Sequence, residues 1–392
     1  MSRLAEYTDL QRQMFCPRWA EYDILIEKEL RPKTMHPPQQ HPDQTASSHS
    51  SRRTLLQGRD IALCLLSASG KSGWRKLKNC AKFIVGRNTT FDETGLFLRQ
   101  YLLHLTGIRP IRKITCRGLP SEGAGSQALM MLNAINFARS YGFEYVHTPF
   151  SSIGHTERPM EEWTAAWESF FNLGSGETPC TEKRHEVVEF SHNFTELAKC
   201  FGCRWRWDEM AERFRAIIPE VRRKYYVNKS PGKANQFTVA VHIRRGDVSQ
   251  DNPGYFTADE AILRTIATTQ SLLNARNVSY KIAVHSQGVP ADFANFSRLG
   301  VELFLNTDAV WTMRQLIQAD VLIMAKGCFS YCAGLISHGI KIFEPDALPN
   351  HDVLPSWKWR AVPLADSWIP CKQDGSFDSS ALERQLTLLT GR

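Results

Sequence analysis

Two arginines stand side by side where an apolar run ends, in His242-Ile243-Arg244-Arg245-Gly246-Asp247. Val239, Ala240, Val241 and Ile243 have the β-branched character of a strand. A guanidinium at the end of a buried strand stays charged, and its fork of N–H donors matches phosphate oxygens two at a time. Asp247 can hold one arginine in place, and Gly246 lets the backbone turn. Taken alone, the pattern fits both an anion site and a strand-end ion-pair cluster at the surface.

The flanking sequence must position these groups, and it alternates between strand and helix signals. Thr257-Ala258-Asp259-Glu260 reads as a capping box opening a helix to about residue 274, with Ile262, Ile266 and Leu273 on its apolar face. Strands are expected at 280–285, 301–305, 321–324 and 340–343, with a short helical stretch at 291–299. Asn306, Thr307 and Asp308 offer N-caps for a helix over 310–319, and a further helix is expected over 329–337. Such alternation argues for an α/β fold, a parallel sheet with helices on both faces. Ligands bind such sheets outside the carboxyl ends of their strands. Arg244 and Arg245, Ser286 and Gln287, and the 327–331 turn all fall at those ends.

A second half begins upstream, at about Arg112. A strand is expected at 114–116, a turn at Glu122-Gly123-Ala124-Gly125, a helix capped by Ser126 to about Tyr141, and a strand at 143–147. A glycine turn meeting a helix N-terminus holds an anion in some proteins and is a tight connection in others. Trp163, Trp167, Phe170 and Phe171 recur at helical spacing and read mainly as core, although an aromatic at a cleft could stack on an acceptor sugar. His147 and His155 flank the loop after the second strand and read as structural histidines before bases.

HIRRGDV, then AVHSQG, then ADVLIMAKGCFSYCAGLISHGIKIFEP resemble the donor-binding half of fucosyltransferases with the HxRRxD motif, the α-1,2, α-1,6 and protein-O-fucosyltransferase superfamily. ITCRGLPSEGAGSQALMMLNAINFARSYGFEYVHTPF resembles the glycine-rich turn of their acceptor domain. The likeness spans roughly residues 112–345. It implies a GT-B fold, two Rossmann-like doubly wound domains facing a cleft, and inverting transfer of L-fucose from GDP-fucose to a glycan or glycoprotein hydroxyl.

By the same resemblance Arg244 grips the diphosphate beside His242. Arg245 orients the sugar phosphate or braces the site, Asp247 positions the arginines or touches the donor, and Ser286 and Gln287 lie where the nucleotide is read. Gly123, Gly125, Ser126 and His155 would belong to the acceptor-side loop; Glu122, beside the glycine turn, and Asp251, after the motif, are the candidate bases. The chain departs from the pattern at Ala325-Lys326-Gly327-Cys328, usually Ser-rich, which leaves Ser330 as the hydroxyl there. Lys326 either adds positive charge or is solvated. No Asp-x-Asp pair stands near the donor motif, so no metal and no cofactor beyond the donor is expected. Another nucleotide sugar, or a non-enzymatic carbohydrate-binding role, are the alternatives.

The remaining composition bounds this reading. The 392 residues are 42% hydrophobic, with a net charge of +8. The basic residues are scattered without zinc-finger, RNP-type or helix-turn-helix patterns, so nucleic acid is not the expected partner. Three parts are expected: an extension over 1–110 with a disordered Pro/Gln/His/Ser linker at 35–53, an acceptor-side domain over 111–230, and a donor domain over 231–392 ending in a helix at about 379–389. That last helix is expected to pack back across the boundary near 228–236 and limit a swing between the domains. Ser69-Gly70-Lys71-Ser72 lacks the first glycine of a phosphate loop, since Leu65 occupies its place.

No run reaches the roughly 18 apolar residues of a membrane span. The start does not read as a signal peptide. The expectation is therefore a cytoplasmic enzyme or, with an incomplete N-terminus, one of the Golgi or secretory lumen. Ten cysteines and sequons at Asn88, Asn193, Asn228, Asn277 and Asn295 favour the lumen. Cys200 and Cys203 form a Cys-x-x-Cys pair without a partner pair for zinc; a disulfide with Cys180 and plain packing are both open.

Overall fold

The computed structural model describes residues 113–181, 187–190, 207–229, 236–251, 254–345 and 363–391. The extension, the Ser69–Ser72 segment, Cys200, Cys203 and most of the expected interdomain linker lie outside the described residues. The described residues belong to one compact unit.

The first half is a four-stranded parallel sheet, β1 (Lys113–Thr115), β2 (Glu144–His147), β3 (Thr178–Pro179) and β4 (Val188–Glu189), ordered β3-β2-β1-β4. Its helices are α1 (Ala124–Tyr141), α2 (Met160–Phe171) and α3 (Trp207–Tyr226). Ala211, Phe214, Ile218, Val221 and Tyr225 of α3 are buried at three- and four-residue spacing, an apolar stripe facing the core.

The second half is a six-stranded parallel sheet: β5 (Phe237–His242), β6 (Tyr280–Ser286), β7 (Glu302–Leu305), β8 (Val321–Ile323), β9 (Ile340–Phe343) and β10 (Trp368–Pro370). Counted from β5, the spatial order is 3-2-1-4-5-6, that of a Rossmann sheet. Its helices are α4 (Asp259–Ala275), the short α5 (Ala294–Ser297) after a 3₁₀ turn, α6 (Ala309–Gln318), α7 (Cys328–Ile336) and α8 (Ser379–Thr390). The expected α/β class is the one observed.

Strand alternation divides this sheet between two cores. Val239, Val241, Ile282 and Val284 pack with Ile262, Ile266, Leu382 and Leu386 of α4 and α8. Ala240 and Leu322 join a larger core holding Met313 and Leu316 of α6, Tyr331 and Leu335 of α7, and the buried faces of α1, α2 and α3. The two halves therefore share one apolar core, and any swing of one against the other must expose part of it.

Three local expectations are corrected. Thr257 does not cap α4: Ala258 is the N-cap, and the Thr257 hydroxyl donates instead to Glu344. Ser126 does not cap α1, which starts two residues earlier from Gly123. A Cβ on Gly125 would lie 2.8 Å from Phe329 Cα, so the bare backbone lets the first turn of α1 press against α7. Finally, α8 does not cross to the other half. Leu382 and Leu386 bury it in the α4-side core, and Arg276 on the α4 side donates to Glu383 O.

Candidate functional site

A cleft of about 850 Å³ opens where the two halves meet. Its second-half wall lies at the switch point of the Rossmann order, between β5 and β8, whose chain connections run to opposite sides. His242, Arg244, Arg245 and Asp247 leave β5, Ser286 and Gln287 leave β6, and Lys326 to Ser330 carry β8 into α7; all line the cleft. Across it stand Glu122, Gly123, Gly125, Ser126, His155, Trp163 and Trp167.

Arg244 is held by both oxygens of Asp247, Nε to Oδ1 at 3.2 Å and Nη2 to Oδ2 at 2.6 Å. That hydrogen bonding holds the Asp247 carboxyl below its usual pKa, with a smaller contribution from His155 across the cleft. Tyr255 lies 5.0 Å from the guanidinium. Gly327 closes the other side at φ +134, and a Cβ there would come within 2.8 Å of Arg244 Nη1. Arg245 behaves differently. It donates to Asp259, Thr257 O and Arg244 O, and lies over the Phe256 ring at 4.3 Å. Of the two roles expected for it, bracing is the one these contacts describe.

His242 Nδ1 lies 2.6 Å from Ser330 Oγ, which also accepts from Ala325 N–H at 3.1 Å. Burial, His285 and Arg244 push the His242 pKa down to about 3. Ser330 is thus engaged in holding the β8–α7 turn to β5. Ser286 is engaged likewise, its hydroxyl donating to Ile243 O at 2.8 Å. Lys326 is neither solvated nor a free cation in the cleft: it pairs with Glu344 at 2.9 Å and donates to Phe256 O.

The opposite wall is built from backbone. Gln127, fully buried, extends its Nε2 to the carbonyls of Leu119, Glu122 and Ser152 at 2.8–2.9 Å. Gly154 N–H donates to Glu122 O at 2.9 Å. These bonds lock the 118–123 turn to the loop bearing His155 and set the Glu122 carboxylate at the cleft. That carboxylate makes no hydrogen bond or ion pair with the described residues. The N-termini of α1 and α7 meet here, at Gly125 and Phe329, and α1 and α7 present positive dipole ends to the same space. Two links cross the rim: Arg158 pairs with Asp308, and Glu157 accepts from Ala309 N–H at 3.0 Å.

The structure separates the two candidate bases. Glu122 lines the same cleft as Arg244, whereas Asp251 is exposed in the turn after the motif, bonded to Ser249 and away from the lining. His147 is buried between Tyr145 and Glu168 and is structural. Cys180 is a free thiol. Gln127, Tyr255 and His285 are lining or supporting residues that sequence reading missed. One signal was visible for His285: Ala-Val-His occurs at 240–242 and again at 283–285, and the register sets His242 beside His285.

The cleft thus brings together an arginine fixed by Asp247, two helix N-termini and, on the other wall, a carboxylate without a partner among the described residues. Among the described residues no group of three or more His, Cys, Asp or Glu is placed to hold a metal ion, and no helix is long and apolar enough to cross a membrane. Neither known protein families nor curated proteins gave a match to the sequence. Solved structures gave distant likenesses. NodZ α-1,6-fucosyltransferase soaked with GDP-fucose is 12% identical, at a TM-score of 0.26 over 58% of this chain and 93% of that one. POFUT1 in complex with GDP-fucose is 11% identical, at 0.32 over 59% and 96%. E. coli heptosyltransferase WaaC with ADP-2-deoxy-2-fluoro heptose is 10% identical, at 0.32 over 71% and 100%. At such values they assign neither reaction nor substrate.

Proposed function

We propose that the cleft is the active site of an inverting GT-B glycosyltransferase that transfers L-fucose from GDP-fucose to a hydroxyl of a glycan or glycoprotein. One observation carries this reading: Arg244, locked by Asp247 at the switch point, lies beside Gly327 at the α7 N-terminus in a cleft that Glu122 also lines. The motif residues that resemble fucosyltransferases are the ones that line this space.

The chemistry follows from that placement. The acceptor oxygen attacks the anomeric carbon, its proton passes to the Glu122 carboxylate, and the bond from that carbon to the β-phosphate oxygen breaks with its electron pair leaving on GDP. The transition state is oxocarbenium-like. Charge grows on the β-phosphate, where the Arg244 fork and the α7 N–H groups are already oriented, so stabilising it costs little reorganisation. Arg245, Ser286 and Ser330 keep the strand ends in register. No cofactor beyond the donor is invoked.

Thermal denaturation of the full chain with GDP-fucose, GDP-mannose, UDP-glucose and ADP-glucose tests the donor. A ligand at 100 times its Kd adds about 2.7 kcal/mol to stability. Stabilisation by GDP-fucose above the others, with release of GDP in the presence of a glycoprotein acceptor, is expected. Equal indifference to all four would overturn the reading.

A further inference from the structure

His285 closes β6 one strand away from the arginine pair. It is 1% exposed, and neither ring nitrogen has a hydrogen-bond partner among the described residues. A buried donor or acceptor left unmade costs about 1–3 kcal/mol, so two on one ring call for an explanation. The ring is not sealed inside a core, because it lines the cleft beside Ser286, Thr307, Ala309 and Thr312. Phe304 stacks on it at 5.2 Å, and Trp311 leans on it at 5.6 Å. Burial pushes its pKa down to about 4, so at neutral pH it offers one N–H donor and one bare nitrogen acceptor.

This chemistry selects among the parts of a nucleotide sugar. A neutral imidazole carries no charge to attract an anion and an anion would leave its acceptor nitrogen unsatisfied, while Arg244 and two helix N-termini stand elsewhere in the cleft for phosphates. A flat, uncharged group with a donor and an acceptor on one edge satisfies both nitrogens. We propose that His285 reads the polar edge of the donor's heterocyclic base and so fixes which nucleotide the cleft accepts. The inference rests on the nucleotide-sugar reading given above and extends it to a residue outside the HxRRxD motif.

Calorimetric titration of the full chain with GDP, ADP, UDP and inorganic pyrophosphate tests it. The wild type is expected to bind one nucleoside diphosphate more tightly than pyrophosphate. His285→Phe keeps an aromatic ring and removes both nitrogens. It should weaken that nucleotide about tenfold or more, a loss in the range of one or two hydrogen bonds. Pyrophosphate binding should stay within about twofold, and the melting temperature should hold or rise because two unmade polar groups are gone. His285→Asn, which restores a donor and an acceptor, should recover part of the loss. Unchanged nucleotide affinity in His285→Phe would overturn the assignment. So would an equal loss for nucleotide and pyrophosphate, which would mark a structural effect on the phosphate side. A wild type that binds none of the four would instead overturn the nucleotide-sugar reading itself.

Discussion

The two walls of the cleft are built on opposite plans. On the second-half wall every cation is held by a carboxylate: Arg244 by Asp247, Arg245 by Asp259, Lys326 by Glu344. On the first-half wall the Glu122 carboxylate has no such partner among the described residues, and only the backbone beneath it is fixed, by Gln127 and Gly154. The difference matches two tasks. Stabilising a growing negative charge needs donors that do not reorganise. Accepting a proton needs a group whose charge is not already committed to a neighbour.

The contrast between the walls should fail most severely at Glu122. Glu122→Gln should lower turnover by about a thousandfold, within the usual range for a general base, while GDP affinity measured by calorimetry stays near wild type. Loss of both together would place Glu122 in binding instead. Arg244→Lys tests the other wall. It keeps the charge but loses the fork, and should cost about a hundredfold in rate in a folded protein. Near wild-type turnover would remove the bidentate role.

Gly327→Ala probes the second wall from within. The new Cβ would sit 2.8 Å from Arg244 Nη1, at a φ of +134 that alanine rarely adopts. Donor affinity should fall about tenfold, and stability by roughly 1–3 kcal/mol, the scale of such backbone strain. Gly123, on the opposite wall, has only His155 Cδ2 at 3.7 Å in the way; Gly123→Ala should be far milder in both assays.

Titration gives a smaller signal. His242 and His285 have folded pKa values pushed to about 3 and about 4, below the ordinary value of 6.5. Between those limits the unfolded chain binds more protons, so stability rises with pH. Urea unfolding should show stability falling by a few kcal/mol as pH drops from about 6.5 towards 4, because each tenfold difference in proton affinity between folded and unfolded chains is worth about 1.4 kcal/mol. His285→Phe should flatten part of that slope. The smallest expected effect is none. On the proposed reading, in which Arg244 and the helix dipoles carry the phosphate charge, transfer should survive exhaustive chelation, and activity that returned only with added magnesium would contradict this.

Much of the second half was legible because its signals are local. The β-branched runs at 239–243 and 321–324 and the intervening amphipathic segments announce strands and helices within short windows. The carboxyl-end position of the arginines follows from strand order along the chain. The first half was less legible. Its β3 and β4 are two residues each, too short to show a period, and they form because β1 and β2 offer edges to pair with.

Residue order alone was enough for the α/β class, for the strand ends that carry Arg244 and Ser286 and the turn before Ser330, and for the expectation that Asp247 holds one of the two arginines, which the structure shows to be Arg244. Each of these depends on residues close along the chain. It took the folded chain to show that Glu122 and not Asp251 lines the cleft with the arginine, that Lys326 is neutralised by Glu344, and that the buried His285 ring has no hydrogen-bond partner among the described residues. Folding also joined α1 to α7, where Cys332 Sγ meets Gly125 O across 207 residues. Such meetings depend on how two amphipathic surfaces bury each other, and no window of sequence contains both.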